Sequence, residues 1–345
     1  MRRCLMLAQM AGGDTAPNPM VGAILVHEGV IIGESYHKKW GEAHAEVNCI
    51  HSVKAEQQHL ISQSTLYVSL EPCAHFGKTP PCADLIIEYK IPKVVIGCRD
   101  PFVQVAGKGI EKLQAAGIDV TIGILEKECV ELNKRFFTFH TLHRPHITLK
   151  WAQTADCKMA YENYHRVLIS NDYTNRLVHK WRGEEMAILV GTNTALFDDP
   201  ELTTRLWPGN NPIRLVIDMS LRLPASLKLF DGEHKTIVFN KLRHKEHHNL
   251  MYYQVAEDAS LVHQIVNALY QMKVQSVLVE GGAQLLQSFI DENMWDEAKI
   301  ITNEQLILKN GIHAPALQYH LMKDSEKILS DVISTYVNQQ NSFVN

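Results

Sequence analysis

The sequence predicts an α/β protein of two domains, and three observations lead there. Its 345 residues exceed what one ordinary core organises. Apolar, strand-like runs alternate with helical patterns of about ten residues, the order expected of βαβ crossovers and of sheets sandwiched by helices. A break at Thr141-Leu-His-Arg-Pro145, where proline disfavours helix in the residue before it, divides the alternation in two. The domains are placed accordingly at residues 1–141 and 146–345.

In the first domain the β-branched runs Val21 to Val26 and Val30 to Gly33 flank His27-Glu28-Gly29, a glycine-permitted turn, and read as a hairpin. A helix from Ala43 to Val53, a strand Thr65 to Leu70, a helix Cys82 to Tyr89 and a strand Val94 to Cys98 follow. A helix Gly109 to Ala116, a strand Ile118 to Ile122 and one helix over Ile124 to His140 close the domain, whose sheet is expected to be mostly parallel. The second domain restarts with strands at His146 to Lys150, Ala187 to Gly191, Ile213 to Asp218, Thr236 to Asn240, Val277 to Glu280 and Lys299 to Thr302. Its helices are expected at Asp172 to Trp181, Leu261 to Met272 and Ala283 to Glu292. The His-rich stretch Arg243 to Asn249 reads as a solvated loop between strands rather than as a metal site at His244, His247 and His248.

Composition narrows the function. With 46% hydrophobic and 21% charged residues the chain is an ordinary globular protein, and 34 basic against 38 acidic residues leave a net charge of −4. Such a balance carries no electrostatic footprint for nucleic acid or for an anionic membrane, so a small-molecule partner is favoured. Seven cysteines (Cys4, Cys49, Cys73, Cys82, Cys98, Cys129, Cys157) are too few, and odd in number, for a disulfide scaffold, and fit a reducing compartment. Arg2 and Arg3 precede a few apolar residues, but Gln9 and Gly12-Gly13-Asp14 interrupt before a signal peptide is complete. No apolar run approaches the roughly 18 residues of a membrane span, and the chain reads as cytoplasmic.

The strongest chemical pattern is His44-Ala45-Glu46 followed by Glu71-Pro72-Cys73 and, eight residues further on, Cys82. Zinc takes imidazole and thiolate, and a catalytic zinc keeps three protein ligands and leaves the fourth position to water. His44, Cys73 and Cys82 make up that count. Two thiolates cancel the charge of the ion, so its water needs an auxiliary base, and Glu46 is the carboxylate at hand. In zinc deaminases the activated water attacks an amidine carbon while a non-ligating glutamate carries the proton to the leaving ammonia. Residues two apart on a helix point about 200° away from each other, so His44 and Glu46 share a site only if they lie at the first turn. Cys82, after Pro80-Pro81, is expected to open the next helix, where a backbone amide can stabilise its thiolate. Two cysteines flanking a loop also suit a disulfide or a structural zinc. The strand before Cys73, a proline before each cysteine and a glutamate beside the histidine favour deamination.

The string Glu71-Pro-Cys-Ala-His75-Phe-Gly77-Lys78-Thr-Pro-Pro-Cys82 resembles the signature of the bifunctional deaminase/reductase family of riboflavin biosynthesis, whereas other zinc deaminases usually have only two residues between the cysteines. Further matches are Pro17-Asn18-Pro19-Met-Val-Gly22, Arg99-Asp100-Pro101, Val105-Ala-Gly107-Lys-Gly109, Leu189-Val-Gly191-Thr-Asn-Thr194, Asp198-Asp199-Pro200-Glu-Leu-Thr203-Thr-Arg205 and Val279-Glu280-Gly281-Gly282. The resemblance implies a cytidine-deaminase-like three-layer domain followed by a dihydrofolate-reductase-like α/β domain. It implies zinc-dependent deamination of a phosphorylated 2,5-diaminopyrimidinone, then NADPH-dependent reduction of its ribosyl group to ribityl. Asn18, His37, His75 and Lys78 become deaminase substrate contacts. In the second domain Lys150 and Glu280 face the reacting sugar, Arg182 and Arg205 reach the substrate phosphate, and Leu202 joins the substrate set. Ala152, Leu168, Ser170, Thr194, Asp198, Gly281 and Gly282 fall on the cofactor side. The family is often oligomeric, which admits a homo-oligomer.

The chain departs from its family in the second domain. The family usually has Ser-Leu-Asp-Gly-Lys at Thr154-Ala-Asp156-Cys157-Lys158 and an aromatic residue at Leu168, in a segment that here begins with Arg166. It also has several residues before the position of Met1. No Gly-x-Gly-x-x-Gly follows a strand, so a Rossmann dinucleotide site is not supported. The competing readings are a nucleoside or tRNA deaminase with an unrelated C-terminal domain, which would need a basic surface, and a zinc-stabilised binding protein without turnover.

Overall fold

A computed structural model describes residues 1–74, 76, 80–102, 105–162 and 167–341, and the chain divides into one compact unit of residues 1–143 and a second that begins at Arg144. No helix among the described residues is long and apolar enough to cross a membrane.

The first unit holds strands β1 (Gly22–His27), β2 (Val30–Tyr36), β3 (Thr65–Leu70), β4 (Lys93–Cys98) and β5 (Asp119–Ile122) in one sheet of order β2-β1-β3-β4-β5. The pairs β1–β2 and β1–β3 are antiparallel and β3–β4 and β4–β5 parallel, so the sheet is mixed rather than mostly parallel. Its helices are α1 (Arg2–Gln9), α2 (Ala45–His51), α3 (Cys82–Glu88), α4 (Lys108–Ala115), α5 (Glu126–Leu132) and α6 (Lys134–Leu142). Alternation along β1 sends Ala23 and Leu25 to one face and Ile24 to the other. Ala23, Leu25, Leu66, Val68, Val94 and Ile96 pack with residues of α2, α3 and α4 on one face, while Ile24 and Leu70 pack with residues of α1, α5 and α6 on the other.

The expected single helix over Ile124 to His140 is two helices. Asn133, buried at the break, accepts a hydrogen bond from the Met20 N–H at 2.8 Å and donates one to the Met20 carbonyl at 2.9 Å. A side chain used as a backbone mimic competes with helix continuation, and the partner lies too far away in sequence for any local pattern to show it.

The second unit contains β6 (His146–Thr154), β7 (Lys158–Ala160), β8 (Ala187–Val190), β9 (Ile213–Ile217), β10 (Thr236–Asn240), β11 (Lys245–His247), β12 (Leu250–Gln254), β13 (Ser276–Val279), β14 (Glu297–Asn303), β15 (Ile312–His313), β16 (His320–Ile328) and β17 (Asp331–Asn338). Its helices are α7 (Asp172–Glu184), α8 (Thr192–Asp198), α9 (Leu261–Gln271) and α10 (Ala283–Asp291). Ten strands form one sheet of order β11-β12-β10-β9-β8-β13-β6-β14-β17-β16, parallel from β12 to β14 and antiparallel at both edges, and β15 pairs with β7 in a separate ribbon. One face is covered by α9 and α10 and the other by α7 and α8.

Pattern reading missed α8, β12 and the hairpin of β16 and β17. β16 is exposed along nearly its whole length, so no apolar alternation announces it. The His-rich stretch is solvent-exposed as expected but not wholly loop, because Lys245–His247 pairs with β12 at the sheet edge.

The entry to the second unit is tied by a buried ion pair. Arg144 donates from Nη1 and Nη2 to the two Asp296 oxygens at 2.6 and 2.7 Å, and Asp296 Oδ2 also accepts the Ile147 N–H at 2.8 Å. Removing one partner of such a pair leaves the other charge buried and uncompensated. Asp296→Ala should therefore lower the stability of the second unit by about 3–5 kcal/mol, read from the denaturant midpoint of its transition.

Candidate functional site

The first unit brings together the residues of the zinc pattern. His44 caps α2 in an extended conformation (φ −70°, ψ 166°), and Glu46 follows in the first turn, the placement that two-residue spacing demands. Cys73 leaves β3 through Glu71-Pro72, and Cys82 is the first residue of α3. The Ala83 N–H donates to the Cys73 carbonyl at 3.1 Å and the Cys82 N–H to the Cys73 sulfur at 3.3 Å, so the start of α3 holds Cys73 by backbone and side chain together.

The donor set fits zinc. Bonds of about 2.3 Å to sulfur and about 2.0 Å to nitrogen in a tetrahedron put neighbouring ligand atoms roughly 3.6 Å apart. His44 Nδ1 lies 3.6 Å from Cys73 Sγ and 3.3 Å from Cys82 Sγ. Among the described residues, these three form the group of His, Cys, Asp and Glu side chains close enough to share a metal. Hydrogen bonds from Cys82 and from His44 push the Cys73 thiol down to about 4 against the opposing effect of burial, which suits a ligand that must be a thiolate. Glu46 is only 3% exposed, and burial raises its carboxyl above the ordinary range although the charge of His44 pulls the other way. A raised carboxyl is what a group that both takes and returns a proton near neutral pH needs.

Two of the four expected substrate contacts sit beside this site. His37 Nδ1 faces the Ala43 carbonyl at 3.0 Å, which assigns the proton to Nδ1 and makes Nε2 the acceptor for the Asn18 amide N–H at 3.2 Å. Burial lowers the His37 pKa and keeps the ring neutral in that tautomer. With its N–H side committed to His37, Asn18 has its amide oxygen left to offer. The His37 and His44 rings meet edge-on, 5.4 Å between centroids. His75 and Lys78 lie outside the described residues.

The second unit assembles a different constellation at the carboxyl ends of β13, β6 and β8, where open parallel sheets bind ligands. Glu280 follows β13 and Lys150 lies on β6 one residue beyond the pair Val279–Leu149. Arg182, from α7, donates from Nε and Nη2 to the two Glu280 oxygens at 2.9 and 2.7 Å, and the Lys150 ammonium is 3.9 Å from the same carboxylate. Burial alone would raise the Glu280 carboxyl, but the charges of Arg182 and Lys150 and the Arg182 hydrogen bonds outweigh it and hold it at about 2. Burial pushes Lys150 in turn below the ordinary lysine range.

Gly281 and Gly282 follow at the start of α10. A Cβ on Gly281 would sit 2.9 Å from the Val190 Cα, so only glycine lets β8 and this turn approach. Gly282 has φ +64° and faces the Thr194 hydroxyl. Asp198 and Leu168 are exposed, Ala152 and Ser170 half-buried, and Arg166 lies outside the described residues. Leu202 is 2% exposed at φ +56°, so its side chain packs inward and its backbone is what remains for a ligand. Arg205 is half exposed, pairs with Glu201 at 3.4 Å and lines an open cleft of about 510 Å³ together with Thr203, Lys228 and His234. The expectation that Arg182 reaches a phosphate meets a fork already committed to Glu280, with its Nη1 3.4 Å from the Thr203 carbonyl. His179, one turn before Arg182, escaped the sequence reading. It is 4% exposed, and burial and the charges of Arg182 and Arg205 lower its pKa to about 4. Its spacing of three from Arg182 on one helix was the available signal.

Comparison with known proteins adds to this geometry. Residues 1–98 match the model of the cytidine and deoxycytidylate deaminase zinc-binding region, and residues 145–305 that of the RibD C-terminal domain. The riboflavin biosynthesis protein RibD of Aquifex aeolicus is 38% identical over 334 residues, covering 95% of this chain and 92% of its own length. RibD of Bacillus amyloliquefaciens is 36% identical over 92% of this chain and 86% of its own. Among solved structures, the diaminohydroxyphosphoribosylaminopyrimidine deaminase/5-amino-6-(5-phosphoribosylamino)uracil reductase of Thermotoga maritima superposes with a TM-score of 0.89 at 35% identity, covering 98% of this chain and 97% of its own. Acinetobacter baumannii RibD gives 0.87 at 28% identity over 97% of both chains.

The ion cluster has a pH signature of definite sign. A carboxyl held at about 2 in the folded protein, against 4.5 ordinarily, contributes stability that is complete above pH 4.5 and lost as the pH falls toward 2. The difference corresponds to about 3 kcal/mol. Glu280→Gln should destabilise the second unit at neutral pH and flatten its loss of stability between those two pH values, measured by denaturant titration across the range.

Proposed function

The chain belongs to the RibD family of riboflavin biosynthesis proteins, and on that premise we propose how its two halves divide the work of a zinc deaminase and an NADPH reductase. Residues 1–141 deaminate 2,5-diamino-6-(5-phosphoribosylamino)pyrimidin-4-one, and residues 146–345 reduce the ribosyl group of the product to ribityl. The single observation carrying the first assignment is the placement of Glu46 in the first turn of α2, beside three donor atoms at zinc-ligand spacing. A nucleoside or tRNA deaminase with an unrelated second domain is not favoured, because the resemblance to RibD proteins runs through both units. As an enzyme acting on a small pyrimidine, it is placed in the cytoplasm.

His44, Cys73 and Cys82 would hold the zinc. Zinc bound there supplies an electropositive centre that acidifies a water and readies it as nucleophile. Glu46 would take one proton from the attacking water and give it to the ring nitrogen, then carry the second, from the hydroxyl so formed on the ring carbon, to the departing amine, so that ammonia leaves neutral. Asn18, oriented by the neutral His37, accepts from an N–H on the edge of the pyrimidine, and His75 and Lys78 complete the substrate contacts.

In the reductase half, NADPH supplies the hydride. Ala152, Leu168, Ser170, Thr194, Asp198, Gly281 and Gly282 form its side of the site, with the glycines allowing close approach of a ligand to the backbone. Lys150 donates a hydrogen bond to the sugar oxygen where negative charge develops. Glu280 fixes Lys150 and Arg182 at that point, Leu202 offers its backbone, and Arg205 meets the substrate phosphate from the open cleft. Arg182 acts by holding Glu280 and the Thr203 carbonyl. This half has little acid/base work, since its main task is to align nicotinamide and sugar away from water.

Glu46→Gln should lower ammonia release from the diaminopyrimidinone by about 10²–10⁴-fold. The same variant should retain one zinc per chain and oxidise NADPH at the normal rate when given the deaminated product. Undiminished ammonia release would remove the proton-carrier role, and a chain that binds no zinc would remove the deaminase assignment.

A further inference from the structure

We propose that Glu71 is a positioning residue for the zinc site, clamping the segment that delivers Cys73 onto the start of α4. The inference rests on the zinc reading above and adds a part that neither composition nor the motif assigns. Glu71 is 4% exposed, and its side chain lies in a nest of backbone donors. Oε2 accepts from the N–H of Asp100 at 3.2 Å and of Gly107 at 3.1 Å. Oε1 accepts from the N–H of Gly109 at 3.1 Å and of Ile110 at 3.3 Å. Two donors on each oxygen use the full acceptor capacity of a carboxylate, and two of the four come from the first turn of α4, whose N–H groups have no partner within the helix.

The backbone makes the same contact. A Cβ on Gly109 would lie 2.0 Å from the Pro72 carbonyl oxygen, so α4 abuts the residue between Glu71 and Cys73. The Glu71 N–H closes the ladder of β3 with β4 on the Cys98 carbonyl at 3.0 Å. Cys73 thus sits between two held points, the clamp before it and the start of α3 after it, where Ala83 and Cys82 donate to its carbonyl and sulfur. Groups that orient metal ligands from behind, when mutated, typically cost 10–100-fold in metal affinity.

Glu71→Gln keeps the shape and inverts half of the chemistry. Whichever way the amide turns, its NH2 faces two backbone N–H donors, so two hydrogen bonds are lost and donors oppose each other. Glu71→Asp keeps both oxygens and shortens the reach. The test uses full-length protein loaded with zinc and challenged with a chromophoric chelator, at a temperature where circular dichroism shows all variants folded. Cobalt-loaded samples report ligand geometry through their visible bands.

Expected is zinc release 10–100-fold easier for Glu71→Gln, a smaller effect for Glu71→Asp, and altered cobalt bands in the folded protein. The rise in melting temperature from apo to zinc-bound protein should shrink in the same order, which a merely structural role would leave unchanged. NADPH oxidation on deaminated product should stay at the wild-type rate. Wild-type zinc retention with unchanged cobalt bands in Glu71→Gln overturns the inference alone. If Glu71→Gln does not fold, Glu71→Asp decides on the same readouts, wild-type behaviour overturning and easier release supporting. A wild-type chain that takes up neither zinc nor cobalt overturns the zinc reading and the inference with it.

Discussion

Two sulfurs that lie 3.3 and 3.6 Å from one imidazole nitrogen are a constraint the fold satisfies before it does anything else. Each donor comes from a different kind of chain position: an extended helix cap at His44, a strand exit at Cys73 and the first residue of a helix at Cys82. All three are places where the backbone changes direction, so small rotations there move a side chain far. Holding them requires fixed points close by in structure, and the layered first unit supplies these through helix starts packed against the end of β3. Stability of the apolar layers and metal chemistry meet in the short segment from Glu71 to Cys73.

The second unit handles charge in the opposite way. Its polar centre is complete within the protein: a buried carboxylate with a bidentate arginine on one side and a lysine on the other. Such a cluster is rigid at neutral pH and presents a net positive field, since two cations face one anion. An anionic cofactor and a phosphorylated sugar enter a site already biased toward them. The first unit, by contrast, brings together donors that repel or share protons until a cation neutralises them. One half is therefore built to receive a cation and the other is charge-paired before any ligand arrives.

Much of this was legible in the sequence where local chemistry decides the structure. The hairpin of β1 and β2, the strand Thr65–Leu70 and the helix start at Cys82 follow from glycine turns, β-branched runs and prolines that fix chain direction. The first-turn placement of His44 and Glu46 followed from helix geometry alone. What escaped is what depends on partners distant in sequence. Asn133 breaks a helical pattern because Met20 waits 113 residues away, and Glu71 reads like one more carboxylate until Asp100 through Ile110 fold over it. The partner of Arg182, Glu280, lies 98 residues on, so no local pattern shows the pair. β16, with no buried face, carries no periodic signal at all.

The departures from the family can be weighed in the same terms. Cys157, where relatives usually have glycine, does adopt a positive φ of 59°, so the residue carries a strain of about 1 kcal/mol. The turn around it nonetheless keeps its full set of bonds. The Cys157 N–H donates to the Thr154 carbonyl, the Lys158 N–H to the Thr154 hydroxyl, and the Asp156 carboxylate accepts from the Thr154 hydroxyl and the N–H groups of Leu308 and Lys309. Those contacts determine the path of the chain whatever side chain sits at the strained position, and Cys157 itself points to solvent. Leu168 is a different kind of change. It is 75% exposed, in a segment expected on the cofactor side, and gives up the flat face an aromatic residue would offer. Of the two substitutions, the one that strains the backbone is absorbed locally, while the one that leaves the backbone alone changes an exposed surface.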